Sequence, residues 1–523
     1  MKTTKRQLPA KSVAVAESQK RKSGNKVNAL LGLWAVVLLV IPSYVLAGTS
    51  PKTERDAKPA AKATATATAT APAPTDTLST QRAILDVLLE NGVITREQYN
   101  QLTGMGTSGA DRTLLRDLLD DDDDFGYTAT DLRTRRFRVR SEDGRDLFRL
   151  RGRFYLDGAG LFLDDNKNTV DDSRNNRGEL ARYATIVRSA RIGAEGVMYE
   201  DFLWRTEVDF RDEEVRLRGA YIEYIRYNPF RIMIGNIKEP MGIEWMTSRN
   251  RATFLERGPS LDAFKPDWTP GLRLEYRGFR YNLMAALMSG GDLARDRTQT
   301  GGYAFAGRAS VAPYVSGSNF THIGFGSSYR VNAYSERIDG QFDRQYSDIR
   351  LRTRLGTRAI DGRFIGADDV QDAVDITRYN AEGAFGFGPF SVQGEYTMVN
   401  IRRDFFREDL FLNGFYVQAS YFLTGESRTY RPERGNFGAL IPNRNFRPGF
   451  GPGAIELAVR FSNVDSIDQD YDGGQMDHFT AGLNWYLNRE TRIMLNYIWL
   501  DAKRQNGKQS TGSVVAARVM FEF

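Results

Sequence analysis

The stretch "RLRGRFYLDGAGLFL", residues 149–163, decides the fold. Arg149, Arg151 and Arg153 stand two residues apart, with Leu150 and Gly152 between them and Phe154 after. In an extended chain successive side chains point to opposite faces. One face of this segment is then cationic and the other largely apolar. The same period of two recurs, imperfectly, in "EVRLRGAYIEYIRYN" (214–228), "AIELAVRFSNV" (454–464), "RIMLNYIWLDA" (492–502) and "VVAARVMFEF" (514–523). No amphipathic helix of comparable length appears from residue 136 onward. Strands of about ten residues are nearly twice the globular average, and a soluble sandwich would need shorter ones. A transmembrane barrel needs this length.

Tight turns punctuate the strands. Tyr227-Asn228-Pro229-Phe230, Tyr276-Arg277-Gly278-Phe279, Gly386-Phe387-Gly388-Pro389 and Leu487-Asn488-Arg489-Glu490 are four of them. Between them lie long irregular stretches: 238–270, 290–303, 425–452 and 463–477. Short turns at one end and long loops at the other is the outer-membrane arrangement. Aromatic residues gather near strand ends, at Tyr221, Tyr224, Tyr227, Trp485, Tyr486, Tyr497 and Trp499, as in an interfacial girdle. At about 24 residues per strand and connection, residues 136–523 make roughly 16 strands, all antiparallel. Around 333–375 simple up-and-down counting does not close, so wall and inward-folded loop both stay open there. Phe523 ends the sequence, with Phe521, Val519, Ala517 and Val515 on one face. That alternation reads as an assembly signal for the outer-membrane barrel machinery.

Ahead of the barrel the composition changes three times. Residues 1–47 carry a basic front, with Lys20, Arg21, Lys22 and Lys26, and an apolar run "ALLGLWAVVLLVIPSYVLA" (29–47). They read as a secretory signal peptide cleaved near Ala47. An uncleaved anchor is the competing reading, and Pro42 argues against it. Residues 48–78 form an Ala/Thr/Pro spacer that cannot bury a core. Residues 79–103 pattern as a short helical hairpin, with Asn91-Gly92 as the stop and Thr95 with Gln98 as a capping box. A DNA-reading hairpin is disfavoured by the export signal and the few basic residues, so no nucleic acid is expected. Residues 104–135 include the acidic run Asp120 to Asp124 and read as a linker.

Charge is placed more tellingly than it is summed. The 523 residues carry a net +6 and no cysteine. From residue 136 onward there are 49 Arg against 5 Lys. A charged side chain facing lipid near the midplane costs about 2–4 kcal/mol. The triplet Arg350, Arg352 and Arg354 in "SDIRLRTRLG" (347–356) therefore faces the lumen or lies on a lumenal loop. The same holds for Arg136, Arg138 and Arg140, for Arg149, Arg151 and Arg153, and for Arg216 and Arg218. A narrow passage lined this way focuses a field that attracts anions. Guanidinium forks fit phosphate and carboxylate. The competing reading is neutralisation in salt-bridge ladders by acids such as Glu382, Glu395 and Glu456. His322 and His478 are the two histidines, and neither has a nucleophile context, so neither an enzyme nor a cofactor or metal is expected.

Several segments carry a family resemblance: "GNIKEPMGIEWMTSRNRATFLERG" (235–258), "IRLRTRLG", "GPFSVQGEY" (388–396), "YFLTGESRTY" (421–430), "GPGAIELAVRFSNVD" (451–465) and "GLNWYLNRETRIMLNYIW" (482–499). In these the sequence resembles the phosphate-selective porin O and P family. The hairpin "LLENGVITREQYNQL" is similar to the segment that precedes barrels of that family. The resemblance implies a 16-stranded homotrimeric porin with a ladder of lumenal arginines leading to a constriction. It implies ladder roles for Arg350, Arg352 and Arg354, a constriction lysine at Lys238, an acidic partner at Asp209, and a loop 238–270 folded into the lumen. Members line the inner mouth with lysines, and this barrel has only Lys167, Lys238, Lys265, Lys503 and Lys508. Phosphate, pyrophosphate, polyphosphate, another anion or no strong preference all remain open on that ground. The functions in competition are a passive anion channel, a general porin and an envelope tether with little conductance.

Overall fold

The computed structural model describes residues 138–141, 145–163, 182–211, 215–290, 302–332, 334–336, 344–346, 349, 351–360, 365, 369–404, 406–504 and 509–523. The expected signal peptide, spacer, hairpin and acidic linker lie outside them, as does Arg350.

Sixteen strands form the wall. They are β1 (Leu147–Leu163), β2 (Tyr183–Met198), β3 (Phe202–Asp209), β4 (Arg216–Tyr224), β5 (Phe230–Lys238) and β6 (Trp268–Arg277). There follow β7 (Tyr281–Ser289), β8 (Tyr303–Val311), β9 (Asn319–Val331), β10 (Ala373–Phe387) and β11 (Phe390–Arg403). The wall ends with β12 (Leu410–Phe422), β13 (Ala454–Asp468), β14 (Tyr471–Tyr486), β15 (Thr491–Lys503) and β16 (Gln509–Glu522). Each pairs antiparallel with its neighbours, and β1 closes on β16 from Arg153↔Glu522 to Leu163↔Gly512. Closure satisfies every strand edge, which is the condition for crossing lipid with strands. A short strand, Arg138–Arg140, adds to the start of β1.

Alternation sets the two faces. β7 switches strictly between exposed and buried, with Tyr281, Leu283, Ala285 and Leu287 outward. On β1, Phe148, Phe154 and Phe162 are exposed, while Arg149, Arg151, Tyr155 and Asp157 are buried inside. On β16, Phe521, Val519, Ala517 and Val515 face outward, and the Phe523 ring lies over Gly152 of β1. Two aromatic residues expected in the girdle face inward instead. Tyr221 is 8% exposed, and the Tyr486 hydroxyl donates to Glu456 at 2.9 Å. Parity within each strand overrides closeness to its end.

Turn lengths mark the two ends. Three residues join β2 to β3 and β6 to β7, and two join β10 to β11. Two expectations are corrected here. Residues 463–477 are not a loop but the long hairpin of β13 and β14, turning at Gln469 and Asp470. The stretch 425–452 does form an irregular segment, but β12 and β13 place it at the short-turn end. Its polar and Gly/Pro-rich composition reads as loop without revealing at which end the loop sits.

Three connections fold into the lumen. The β5–β6 loop carries α1 (Ile243–Met246), a 3-10 turn (Arg249–Arg251) and α2 (Pro259–Phe264). The β9–β10 loop contains the arginine triplet. Its described members Arg352 and Arg354 lie on inward loop, and sixteen strands close without them. Ile349 pairs with Val370 and Thr353 with Ile365, folding the loop back on itself. Leu351, Leu355, Ile360 and Ile365 are buried with Leu255 and Phe264 against Tyr155, Ile401, Leu412, Ile498 and Val514 of the wall. Gly356 allows this approach. Its φ is +75°, and a Cβ there would stand 2.7 Å from Ile498 Cδ1. The apolar inner faces on β10–β16 are thus covered by loop, which explains why alternation is imperfect in "RIMLNYIWLDA".

Candidate functional site

The lumen is filled along β10–β16 and open along β1–β7. There, a cavity of about 360 Å³ runs from Arg211 and Arg216 at the long-loop end to Arg277 and Arg434 at the short-turn end. Fourteen arginines with Lys238 and Lys265 line it, against the acids Glu207, Asp267 and Glu275. The wall supplies Arg153, Arg188, Arg191, Arg205, Arg216, Arg218, Arg273 and Arg277. The β5–β6 loop adds Arg249 and Arg257, the β9–β10 loop adds Arg358, and the β12–β13 segment adds Arg431 and Arg434.

Two of the three acids are held by arginine. Glu207 accepts from Arg153 at 2.7 Å and Arg191 at 2.6 Å. Glu275 accepts from Arg277 at 2.8 Å and Arg273 at 3.2 Å. Cations outnumber these acids so heavily that the passage stays strongly positive. Burial, and then the charge of Arg249, push the Arg257 guanidinium down to about 10, and it remains cationic at neutral pH. Arg358 is likewise pushed to about 10, with burial the leading cause. In a confined space of low dielectric, such charges act over a longer range than in water.

The expected site residues divide. Arg216 and Arg218 line the cavity near its long-loop mouth. Asp209 is 1% exposed at the end of β3, 3.0 Å from Arg191 and 3.5 Å from Arg218. It braces cavity arginines without lining the cavity itself. Lys238 lines the cavity as the last residue of β5. Its Nζ donates to the Trp245 carbonyl at 2.8 Å and lies 5.4 Å and 5.6 Å from the Trp245 and Trp268 rings. Arg352 and Arg354 are not among the lining residues, and Arg352 pairs with Asp369 at 2.6 Å. Arg358, four residues beyond the triplet, is the residue of that segment on the passage. Parity could not single it out, because the chain bends at Gly356.

The acids weighed as neutralising partners also divide. Glu382 pairs with Arg308 at 2.6 Å and meets His322 at 3.2 Å. Glu456 stands 3.9 Å from Arg492. Glu395 serves a different purpose: it accepts the Tyr416 hydroxyl at 2.6 Å and the Glu244 backbone N–H at 2.8 Å. His478 is buried in the wall against Gly356.

A second group of wall arginines never reaches the passage. Arg378 of β10 donates to the Phe264 carbonyl at 2.9 Å, and Arg460 of β13 donates to that of Glu256 at 3.1 Å. Arg492 of β15 donates to the carbonyls of Ala252 at 2.8 Å and Thr253 at 3.1 Å. Arg518 of β16 donates to that of Leu255 at 2.6 Å. Irregular backbone inside a barrel leaves carbonyls without ladder partners, and these guanidinium groups satisfy them. From the short-turn end the β12–β13 segment reaches the same loop. Asn436 Nδ2 donates to the Met246 carbonyl at 3.4 Å, and Phe437 N donates to Thr247 Oγ1 at 3.3 Å. Its own anchors are the Tyr430 ring stacked on Phe320 at 4.4 Å and Arg308 on the Gly435 carbonyl at 2.6 Å.

Comparison with known proteins agrees with this architecture. The family model for phosphate-selective porin O and P matches residues 164–523. Porin O of Pseudomonas aeruginosa is 26% identical over 428 residues, covering 74% of this chain and 90% of that protein. An uncharacterised protein of Caulobacter vibrioides is 26% identical over 389 residues, covering 72% of this chain and 74% of its own. An anion-selective porin from Comamonas acidovorans superposes with a TM-score of 0.44 and 11% identity, covering 72% of this chain and 100% of that one, too loosely to carry an argument. On the match over its barrel, the chain belongs to the phosphate-selective porin O and P family, and it forms an outer-membrane porin channel.

Proposed function

We propose that this porin conducts anions passively, with phosphate or polyphosphate as the solute taken into the periplasm. The observation that carries the reading is the continuous cavity of fourteen arginines and two lysines against three acids. A series of similar cationic positions suits conduction, because an anion binds each weakly enough to move on. Arg216, Arg218 and Lys238 belong to this path, with Asp209 bracing it and Arg358 standing on it four residues beyond Arg354. The family's own description, phosphate-selective, favours this solute class. Export by the 1–47 segment, assembly signalled by Phe521 and Phe523, and a homotrimer complete the reading.

A general porin for small solutes is the second reading, favoured by the scarcity of lysine along the passage. Reversal potentials of single channels in a salt gradient separate the two, followed by block with phosphate and pyrophosphate. Anion preference with block at low phosphate supports the proposal. Cation preference refutes it, anion preference without block leaves the general porin, and absence of conductance leaves the tether.

A further inference from the structure

Glu256 sits in the β5–β6 loop and is 8% exposed. Its carboxylate is gripped from two distant strands. Arg188 of β2 donates Nε to Oε1 at 2.7 Å and Nη2 to Oε2 at 3.1 Å. Arg518 of β16 donates Nη2 to Oε1 at 3.0 Å, while its Nε and the same Nη2 fork onto Asp157 at 2.7 Å and 2.8 Å. Arg249, on the loop itself, stands 3.5 Å from Oε2.

The wall is distorted to make this grip. Between β1 and β2 the register slips: Tyr155 faces Ser189 and Leu156 faces Val187, so Arg188 is an extra residue. The bulge turns Arg188 and Ser189 both inward, and both are 2% exposed. A bulge costs ladder pairing and is used where a side chain must be re-aimed. Arg188 is the side chain re-aimed here, and it meets Glu256.

We propose that Glu256 is the positioning residue that latches the β5–β6 loop across the lumen, and that this latch sets the bore and the anion preference of the passage. Glu256 does not line the cavity, whereas Arg188 and Arg249, which it holds, do. With the latch released, the loop is free to leave its seat, and the two cations lose their fixed orientation. Burial alone would raise the Glu256 carboxyl, but the charges of Arg249, Arg518 and Arg358 outweigh it and hold it at about 2, so the latch is charged at neutral pH. This inference rests on the channel reading above.

The test is single-channel recording of the full-length protein in planar bilayers, comparing wild type with Glu256→Gln and Glu256→Asp. A latch and a mere charge predict opposite signs. If Glu256 contributes charge alone, the neutral glutamine raises anion preference and leaves the bore unchanged, and the aspartate does nothing. If it is a latch, both variants raise conductance by about twofold, admit larger uncharged sugars and lower the anion-to-cation permeability ratio. Unchanged conductance in both variants overturns the proposal. Should Glu256→Gln fail to assemble, Arg188→Gln leaves Arg518 in place and is read on conductance. Loss of a cation alone lowers anion current, whereas release of the loop raises it. Wild type without conductance would instead fail the channel reading, so the two failures are distinct.

Discussion

Arg191 on β2 and Arg518 on β16 are inward-facing arginines of one barrel, yet their surroundings differ. Arg191 meets Glu207 and Asp209 and still lines an open cavity. Arg518 is 1% exposed, forks onto Asp157 and hydrogen-bonds the Leu255 carbonyl. The contrast extends along each side. Eight arginines on the wall from β1 to β6 line the passage, Arg188 among them while it also grips the loop, whereas Arg378, Arg460, Arg492 and Arg518 on β10–β16 hold the irregular loop in place. Identical side chains thus border open space on one side and only clamp on the other. What separates them is whether loop backbone or open space lies opposite.

Breaking the clamp side should have the largest effect on stability. Arg518→Leu leaves Asp157 buried without its fork and Glu256 without one of its two wall partners, a loss of about 3–5 kcal/mol. The folded band on unheated gels should unfold at a lower temperature, and an unchanged midpoint would place the arginine among dispensable wall residues. Breaking the passage side should act on permeation instead. Replacing Arg216 and Arg218 by Ala removes two charges near the mouth and should lower the anion-to-cation permeability ratio about fivefold, because charges a few ångströms from the path act through a medium of intermediate dielectric. The unfolding midpoint should stay nearly constant. A large drop in that midpoint would blur the division between the two sides.

Smaller effects sharpen the comparison within one loop. Arg352→Ala breaks a partly screened pair with Asp369 and should cost no more than about 1 kcal/mol, with little change in selectivity. Arg358→Ala should reduce selectivity more than Arg352→Ala, since Arg358 alone of the two lines the cavity. Equal effects in reversal potential would return the triplet to the path. The smallest expected effect is a null in pH. The Glu256 carboxyl is held below its ordinary 4.5 at about 2, so its charge stabilises the folded loop above the ordinary value, and that contribution is lost only as pH falls toward about 2. Conductance should stay level from about pH 8 to about pH 4. A step within that window would assign the latch to another group.

Particular residues show how far the sequence could be read. The alternation through Arg149, Arg151 and Arg153 reflects a local rule, since period two and the cost of charge in lipid operate on each strand separately. The strand count was likewise legible, apart from the region around 333–375, where the chain leaves the wall. Lys238, Arg216 and Arg218 are positioned by strands and lie on the passage. Arg249, Arg257, Arg431 and Arg434 sit in connections between wall strands, where no sustained period marks them. The β12–β13 segment was legible as irregular but not as an inward fold from the short-turn end.

The sequence by itself determined a barrel of inward arginines and outward apolar residues, because hydrogen-bond closure and lipid exposure constrain every strand independently. Only the tertiary structure decided which arginines face open space. That depends on where three connections, distant in sequence, come to rest inside the wall. Buried contacts such as Leu355 near Ile498 and Glu256 between Arg188 and Arg518 settle that position, and each joins residues that no local periodicity relates.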